Sequence, residues 1–325
     1  MLVYLLRRLG QSVFVIAAMA VLVFVGVYAI GNPIDILINP EADQNERAAA
    51  IARLGLDKPL WEQFLVFVSN AVQGDLGRSF VYSTDALGLI LSKLPATLEL
   101  AFLALVIAIF LGVPLGMLAG LKPDSIVGKT IMGGSILGFS LPNFWQGMML
   151  ILLFAVIFKV LPSGGRGETV EVLGVAVSFL TLDGLSHMLL PAVNLALFKT
   201  SLVIRLARAG TREAVLQDYV KFARAKGLKP RRIVLVHIAK NIMIPVVTVL
   251  GLELGSMIAF AVVTESVFAW PGMGKLLIDS IQHLDRPVVV AYLMLTVFMF
   301  ILINLAVDLL YCALDPRVRI SEVSA

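Results

Sequence analysis

The sequence predicts an all-α integral membrane protein with six transmembrane helices and both termini in the cytoplasm. Composition is the first reason, because 59% of the 325 residues are hydrophobic and only 15% are charged. The mean hydropathy of +0.94 lies well outside the usage of soluble domains. The other two reasons are long apolar segments and an uneven distribution of lysine and arginine.

Six segments are apolar enough to cross a bilayer, which takes roughly 20 residues. Four of them contain no Asp, Glu, Lys or Arg: 9–34, 100–121, 130–158 and 287–307. The other two are each interrupted by one charge, Lys199 in 184–204 and Glu253 in 241–264. In a single domain of residues 1–325, we therefore predict transmembrane helices at 9–34, 94–121, 130–158, 184–207, 241–264 and 287–311.

Lysine and arginine set the predicted orientation. With a cytoplasmic N-terminus, the inside segments hold sixteen of these residues and the outside segments hold nine. The positive-inside rule then gives N-in, C-in, which makes 35–93 extracytoplasmic and 208–240 cytoplasmic. The net charge of +4 therefore reflects topology and contact with anionic lipid, and it does not indicate nucleic-acid binding.

The cytoplasmic segment 208–240 predicts a helix, a sharp corner and a second helix. Four residues recur at the spacing of one apolar helix face: Leu216, Tyr219, Val220 and Ala223. Gly227 can adopt the left-handed conformation that ends a helix. Pro230 then suits the first turn of the next helix.

This segment resembles the cytoplasmic coupling loop of ABC importer permeases of the dipeptide and oligopeptide (peptide/nickel) group. The resemblance rests on these residues: Tyr219, Ala223, Arg224, Ala225, Lys226, Gly227, His237, Asn241 and Pro245. It implies a type I importer permease fold, in which the 219–227 element enters a cleft of an ATPase subunit with the apolar face that carries Ala223, and the glycine makes the turn. The Glu-Ala-Ala triplet of the wider ABC pattern is replaced by residues 221–223, a deviation that the peptide group shares. The alternative is a solvated basic loop.

The extracytoplasmic segment 35–93 also resembles that group, in 54–59 (LGLDKP) and 74–80 (GDLGRSF). An amphipathic helix is predicted from Leu60, Phe64, Phe67, Val68 and Ala71, followed by a turn at 74–77. The resemblance implies that this region caps the pore and meets a substrate-binding protein. An interfacial helix on the outer leaflet is the alternative reading, and the two are compatible.

Two further motifs, 138–147 (GFSLPNFWQG) and 264–274 (TESVFAWPGMG), resemble the same family. Pro142 lacks a backbone donor, so it predicts a kink or unwinding in the third span that must be buried in protein. Pro271 and the glycines beside it predict a turn near the outer surface. Close helix packing is predicted from small residues at helical spacing: Gly112, Gly116, Gly120, Gly251 and Gly255.

Charged groups inside spans are costly to bury and are therefore candidates for function. Glu253 falls near mid-bilayer and is the first candidate for the translocation path. The alternative is a carboxylate paired with a neighbouring helix or a partner permease. Glu265, nearer the outer mouth, and Asn304 are further path or gate candidates, and the partner of Lys199 is not predicted.

Catalytic and metal-binding motifs are absent from the sequence. The segment 270–276 contains Gly-Met-Gly-Lys but lacks the first glycine and the Ser or Thr of a phosphate-binding loop. His187, His237 and His283 are far apart in the sequence and do not form a metal cluster. We therefore predict a non-catalytic subunit without a cofactor or metal of its own, with ATP and Mg bound by partner subunits.

The resemblance implies a complete importer in a bacterial or archaeal plasma (inner) membrane. Its partners are a second homologous permease, two ABC ATPases and an extracytoplasmic substrate-binding protein, and its mechanism is alternating access. Dipeptides or oligopeptides are the first substrate class, with glutathione, nickel complexes and oligosaccharides as alternatives. A self-sufficient channel or secondary transporter is less favoured, because no inverted repeat with matching broken helices is found.

Overall fold

Most of the chain that the structure describes is helical. The computed structural model describes residues 2–29 and 57–314, and the side chains of 10–26, 57–243 and 245–307. The helices are α1 Leu2–Ala29, α2 Leu60–Val72, α3 Ala86–Leu121, α4 Ile126–Ser140, α5 Asn143–Leu150, α6 Leu182–Leu216, α7 Asp218–Ala225, α8 Pro230–Arg232, α9 Ala239–Val267, α10 Met273–Gln282 and α11 Arg286–Leu314.

Two π-helical stretches and one hairpin complete the described elements. The stretch Ile151–Ile157 continues α5, and Ile233–Ile238 joins α8 to α9, so the chain is helical without a break from 230 to 267. Strands β1 (Val170–Val172) and β2 (Val175–Val177) pair antiparallel in the segment before α6.

Four described helices are long and apolar enough to cross a membrane: Ala86–Leu121, Leu182–Leu216, Pro245–Val267 and Arg286–Val307. The pair formed by α4 and α5 makes a fifth span if its two bent parts are counted together. The predicted all-α membrane fold is confirmed. The count of six remains a prediction, because the first predicted span, 9–34, lies only partly within the described residues. The orientation also remains a prediction.

The third predicted span, 130–158, is broken rather than continuous. Helices α4 and α5 meet at 109°, with Leu141 and Pro142 in extended conformation between them. Leu141 is 38% exposed in the single chain, and the burial of this irregular backbone in protein stays a prediction. Gln146 stabilises the break, since its Nε2 donates to the carbonyl oxygens of Gly138 at 3.0 Å and Leu141 at 2.9 Å.

The chain divides into two compact units, of which the first comprises 1–92 and 276–301. In this unit the predicted amphipathic helix is confirmed as α2, which contacts α1 through aromatic side chains. The ring of Phe24 lies 5.3 Å from that of Phe64 and 6.0 Å from that of Phe67. The predicted turn after α2 is confirmed by the positive φ angles of Gly74 and Gly77.

The segment after that turn binds the residue that precedes α11, also within the first unit. Ser79 donates its hydroxyl to the carboxylate of Asp285, which is fully buried. The backbone N–H groups of Phe80 and Val81 donate to the same carboxylate at 3.0 and 3.3 Å. Asp285 therefore fixes the end of the GDLGRSF segment through neutral donors, a role that no local pattern in the sequence indicates.

The second unit comprises 93–275 and 302–325, and glycines set its helix packing. A Cβ on Gly112 would lie 2.7 Å from the Val203 side chain, and one on Gly116 would lie 2.6 Å from the carbonyl oxygen of Ile204. A Cβ on Gly120 would likewise lie too close to Thr211 of α6. The predicted close approach is confirmed here, between α3 and α6. It is also confirmed at Gly251, which faces Val307 of α11.

Candidate functional site

The corner after α6 separates residues that the sequence assigned to one helix face. Helix α6 ends at Leu216, and Gln217 is extended, with ψ 149°. Leu216 is consequently 72% exposed and does not share a face with the residues of α7. The predicted face that includes Leu216 is wrong, because the chain changes direction at Gln217.

The second corner forms a Schellman motif at Gly227. Gly227 has φ +70° and donates its N–H to Arg224 at 2.9 Å, while Leu228 donates to Ala223 at 3.3 Å. This pair of bonds satisfies carbonyl groups that the end of α7 leaves free. Pro230 then occupies the first turn of α8. The predicted order of a helix, a sharp corner and a second helix is confirmed.

Helix α7 has one face inside the protein and one outside. Val220 is fully buried and Ala223 is 4% exposed, in a hydrophobic cluster that includes Ile238. The expectation that Ala223 lies on the docking face is therefore wrong. Tyr219 and Phe222, which are 39% and 62% exposed, form the outward apolar surface.

The outward face of α7 lines a shallow groove bordered by charge. We call it the α7 groove, and its residues are Asp218, Tyr219, Lys221, Phe222 and Ala225. Lys221 donates to the Asp218 carboxylate at 2.9 Å, and this hydrogen bond lowers the pKa of Asp218. The Lys226 ammonium lies 4.6 Å from the centre of the Phe222 ring, a cation–π contact. An apolar groove with charges of both signs at its border suits an apolar protein surface with complementary charges at its edge.

The two charges that interrupt separate predicted spans form an ion pair. Lys199 of α6 donates from Nζ to Oε2 of Glu253 in α9, and also to the Ser256 hydroxyl at 2.8 Å. The sequence left open whether Glu253 lies on the path or in a pair, and it did not predict the partner of Lys199. The structure brings the two residues together.

Glu265 holds the turn between α9 and α10. Its carboxylate, which is fully buried, accepts hydrogen bonds from the Thr97 hydroxyl at 2.6 Å and the Lys275 N–H at 3.0 Å. A Cβ on Gly272 would overlap this carboxylate, so the turn needs glycine there. In this structure both carboxylate oxygens bind groups of its own chain, and the predicted path or gate role of Glu265 stays a prediction.

Three polar side chains join the two motifs that the sequence analysis treated separately. Asn194 of α6 donates to Asn143 at 2.7 Å and to Thr264 at 3.1 Å, and Asn143 donates to Thr264 at 3.2 Å. This network links α5, α6 and α9 beside the break at Pro142. Sequence reasoning missed Asn194, although a polar residue inside a span is the same signal that singled out Lys199.

Asn304 is half-buried on α11, one helical turn before Val307. Its predicted place on the translocation path stays a prediction. Among the described residues, no group of three or more His, Cys, Asp or Glu could hold a metal ion.

Comparison with known proteins decides the family. Residues 112–320 match the family model "Binding-protein-dependent transport system inner membrane component", and residues 1–101 match the N-terminal model of such components. The chain belongs to this family. Membership makes it a transport permease of the inner membrane and implies, in general terms, ATPase and substrate-binding-protein partners. The resemblance to peptide-group ABC permeases that the sequence indicates is confirmed.

Several named relatives are similar to this chain over nearly their full length. The dipeptide transport system permease protein DppB of Escherichia coli is 38% identical, over 98% of this chain and 99% of the relative. The oligopeptide transport system permease protein AppB of Bacillus subtilis is 35% identical, over 98% and 100%. The glutathione transport system permease protein GsiC of Escherichia coli is 37% identical, over 98% and 99%.

A solved structure shows the same fold. The permease in the inward-facing MetNI methionine ABC transporter has a TM-score of 0.55, covering 70% of this chain and 96% of that one. Identity between the two is 18%. The shared architecture confirms the fold class predicted from the sequence.

Proposed function

We propose that this chain is the permease subunit of an ATP-driven importer of dipeptides or oligopeptides, and that α7 couples it to an ATPase subunit. The observation that carries this proposal is the two-faced α7 helix. Val220 and Ala223 fix it to the core, while Tyr219 and Phe222 face outward at a sharp corner. A solvated loop has no need of an internal anchor combined with an exposed aromatic surface.

The connections of α7 suit it to transmit movement. Gln217 joins it directly to α6, and the Schellman turn at Gly227 joins it to the helical run from 230 to 267. Helices α6 and α9 pack together within the second unit and are linked by the ion pair between Lys199 and Glu253. A displacement of α7 by an ATPase would therefore move two membrane-spanning helices together.

The complete importer contains a second homologous permease, two ATPases that bind ATP and Mg, and an extracytoplasmic binding protein. In this assembly, in a bacterial inner membrane, the chain forms half of the pore, performs no catalysis and alternates between inward-open and outward-open states. Glu253, Glu265 and Asn304 are its candidate path or gate residues.

Peptides are the proposed substrate class because relatives of this chain are named for dipeptide, oligopeptide and glutathione transport. Glutathione is itself a short peptide derivative, so the three names share one chemistry, a backbone with free amino and carboxylate groups. The choice among them belongs to the binding protein.

The coupling proposal is tested by changing the exposed face of α7. Phe222→Asp puts a charge into the α7 groove without touching the core. Arg231→Ala is the control, because it lies on exposed α8 and changes the net charge by the same amount. We expect Phe222→Asp to lose ATPase subunits in pull-down and to lose substrate-stimulated ATP hydrolysis in lipid, while Arg231→Ala keeps both. Normal retention and stimulation in Phe222→Asp would refute the coupling role.

A further inference from the structure

The ion pair between Lys199 and Glu253 lies well inside two membrane-spanning helices. Glu253 follows Pro245 by eight residues in the span Pro245–Val267, about 12 Å along a helix that rises 1.5 Å per residue. Lys199 is near the middle of Leu182–Leu216. Ion pairs removed from water contribute little stability compared with apolar packing, so their presence in a span calls for a functional explanation.

The contacts of the pair are concentrated on one carboxylate oxygen. Lys199 and the Ser256 hydroxyl both donate to Oε2 of Glu253, the latter at 2.8 Å. Ser256 also receives a hydrogen bond from Lys199, so the three groups form a closed triangle. An ionised carboxylate accepts about four hydrogen bonds, and Oε1 takes part in none of these. The carboxylate is therefore held through Oε2, while Oε1 can still accept hydrogen bonds.

Exposure shows which member of the pair is accessible. The side chain of Glu253 is 29% exposed, whereas that of Lys199 is 11% exposed. The exposed part of the Glu253 side chain does not face lipid hydrocarbon, because placing a charged group among lipid tails costs several kcal/mol. Glu253 must therefore face a water-filled path or another subunit. The ion pair is neutral overall, so it offers no net charge to a neighbouring subunit, and a subunit interface would not require these two residues. A path for charged substrates would require a charged group.

We propose, on the basis of the peptide-import function above, that Oε1 of Glu253 accepts hydrogen bonds from the ammonium group of a peptide in transit. Lys199 is a positioning residue, which holds the carboxylate in place through Oε2. Its positive charge also weakens the attraction that an incoming cation feels, so the carboxylate does not hold the ammonium group too tightly to release it. Transport needs sites that bind and then let go. The site selects for a free amino group.

The proposal is tested by a double-mutant cycle in the full transporter, reconstituted in lipid with its native partners. The measurements are uptake of radiolabelled dialanine and retention of the ATPase subunits. Glu253→Gln keeps the shape of the side chain. Lys199→Met combined with Glu253→Gln removes both charges and leaves neither unpaired. In both variants we expect ATPase retention with uptake slowed roughly tenfold to a hundredfold, the range for loss of a hydrogen bond to a charged group.

If the pair only joined α6 to α9, the double variant would take up dialanine at the wild-type rate, since replacing a buried ion pair with neutral residues is well tolerated. Uptake at the wild-type rate in the double variant, or in Glu253→Gln alone, would overturn the proposal. The single variant Lys199→Met should lose uptake, whereas Lys199→Arg, which keeps the pair, should retain it. Equal loss in the two variants, with normal assembly, would contradict the positioning role. Failure of the wild-type chain to retain ATPases would instead refute the import function on which the proposal rests.

Discussion

The hydroxyl group of Thr97 donates a hydrogen bond to Glu265 at 2.6 Å, although 168 positions separate the two residues in sequence. The same hydroxyl accepts the N–H of Met273 at 2.9 Å. Trp270 lies in the turn between Glu265 and Met273. It is fully buried and donates its indole N–H to the Ala96 carbonyl at 2.9 Å. The TESVFAWPGMG motif is thus a clamp that fixes the turn after α9 to the region around Thr97.

Glu265→Ala should lower the stability of the protein, because it leaves the Thr97 hydroxyl and the Lys275 N–H without their acceptor. Each buried group left unsatisfied costs about 1–3 kcal/mol. Thermal unfolding in detergent or lipid measures the effect. Glu171→Ala, on the exposed strand β1, is the control and should leave the unfolding midpoint unchanged. Equal midpoints for the two variants would show that the clamp carries no stability.

Close packing of α3 on α6 predicts that Gly116→Ala is destabilising. The added Cβ would lie 2.6 Å from the Ile204 carbonyl oxygen, and such overpacking typically costs about 1–3 kcal/mol. Gly133→Ala is the matched control, because Gly133 is also helical and its Cβ would meet nothing within 4 Å. We expect Gly133→Ala to be neutral or slightly stabilising in the same unfolding assay. A Gly116→Ala protein as stable as wild type would contradict the packing.

The Gly227 corner predicts a graded effect of substitution on ATPase retention. A Cβ at Gly227 meets nothing within 4 Å, so the cost comes from the φ of +70° alone. That cost is about 1–2 kcal/mol for most residues. Asparagine tolerates this conformation better than a β-branched residue does. We expect Gly227→Val to reduce pull-down of the ATPases and Gly227→Asn to preserve it.

Identical retention of the ATPases by the valine and asparagine variants would mean that the geometry of this corner does not matter for docking.

Features that depend on local chemistry could be predicted from the sequence. The Gly227 turn, helix α2 and the glycines of α3 each follow from the conformational range or small size of a residue and from helical periodicity. The break at Pro142 was only partly predictable. Proline predicts a disturbed helix, but it predicts neither the 109° bend nor the hydrogen bonds from Gln146 to the carbonyl groups beside the break.

Features that depend on distant residues could not be predicted. The sequence marked Lys199 and Glu253 as isolated charges, because periodicity within a helix says nothing about which helix lies beside it. The partners of Glu265 could not be predicted for the same reason, since Thr97 and Lys275 belong to other segments. Ala223 was placed on the wrong face of α7, because a small apolar residue suits a protein core and a docking surface equally well.

The predicted orientation is tested by cysteine labelling after Cys312 has been replaced. A cysteine at Ser69, exposed on α2, should react with an impermeant thiol reagent added outside intact cells. One at Lys229, exposed beside the Gly227 corner, should react only after the cytoplasmic side is opened. Labelling at Lys229 in intact cells would reverse the topology and place the α7 groove on the wrong side for an ATPase.

The docking role of α7 is tested most directly by photocrosslinking in the assembled transporter. A photoreactive amino acid at Phe222, which is 62% exposed, should form a covalent product with an ATP-binding subunit. The same probe at fully buried Val220, two residues away, should not. A complex that hydrolyses ATP yet gives no product at Phe222, or gives equal yields at both positions, would contradict the account.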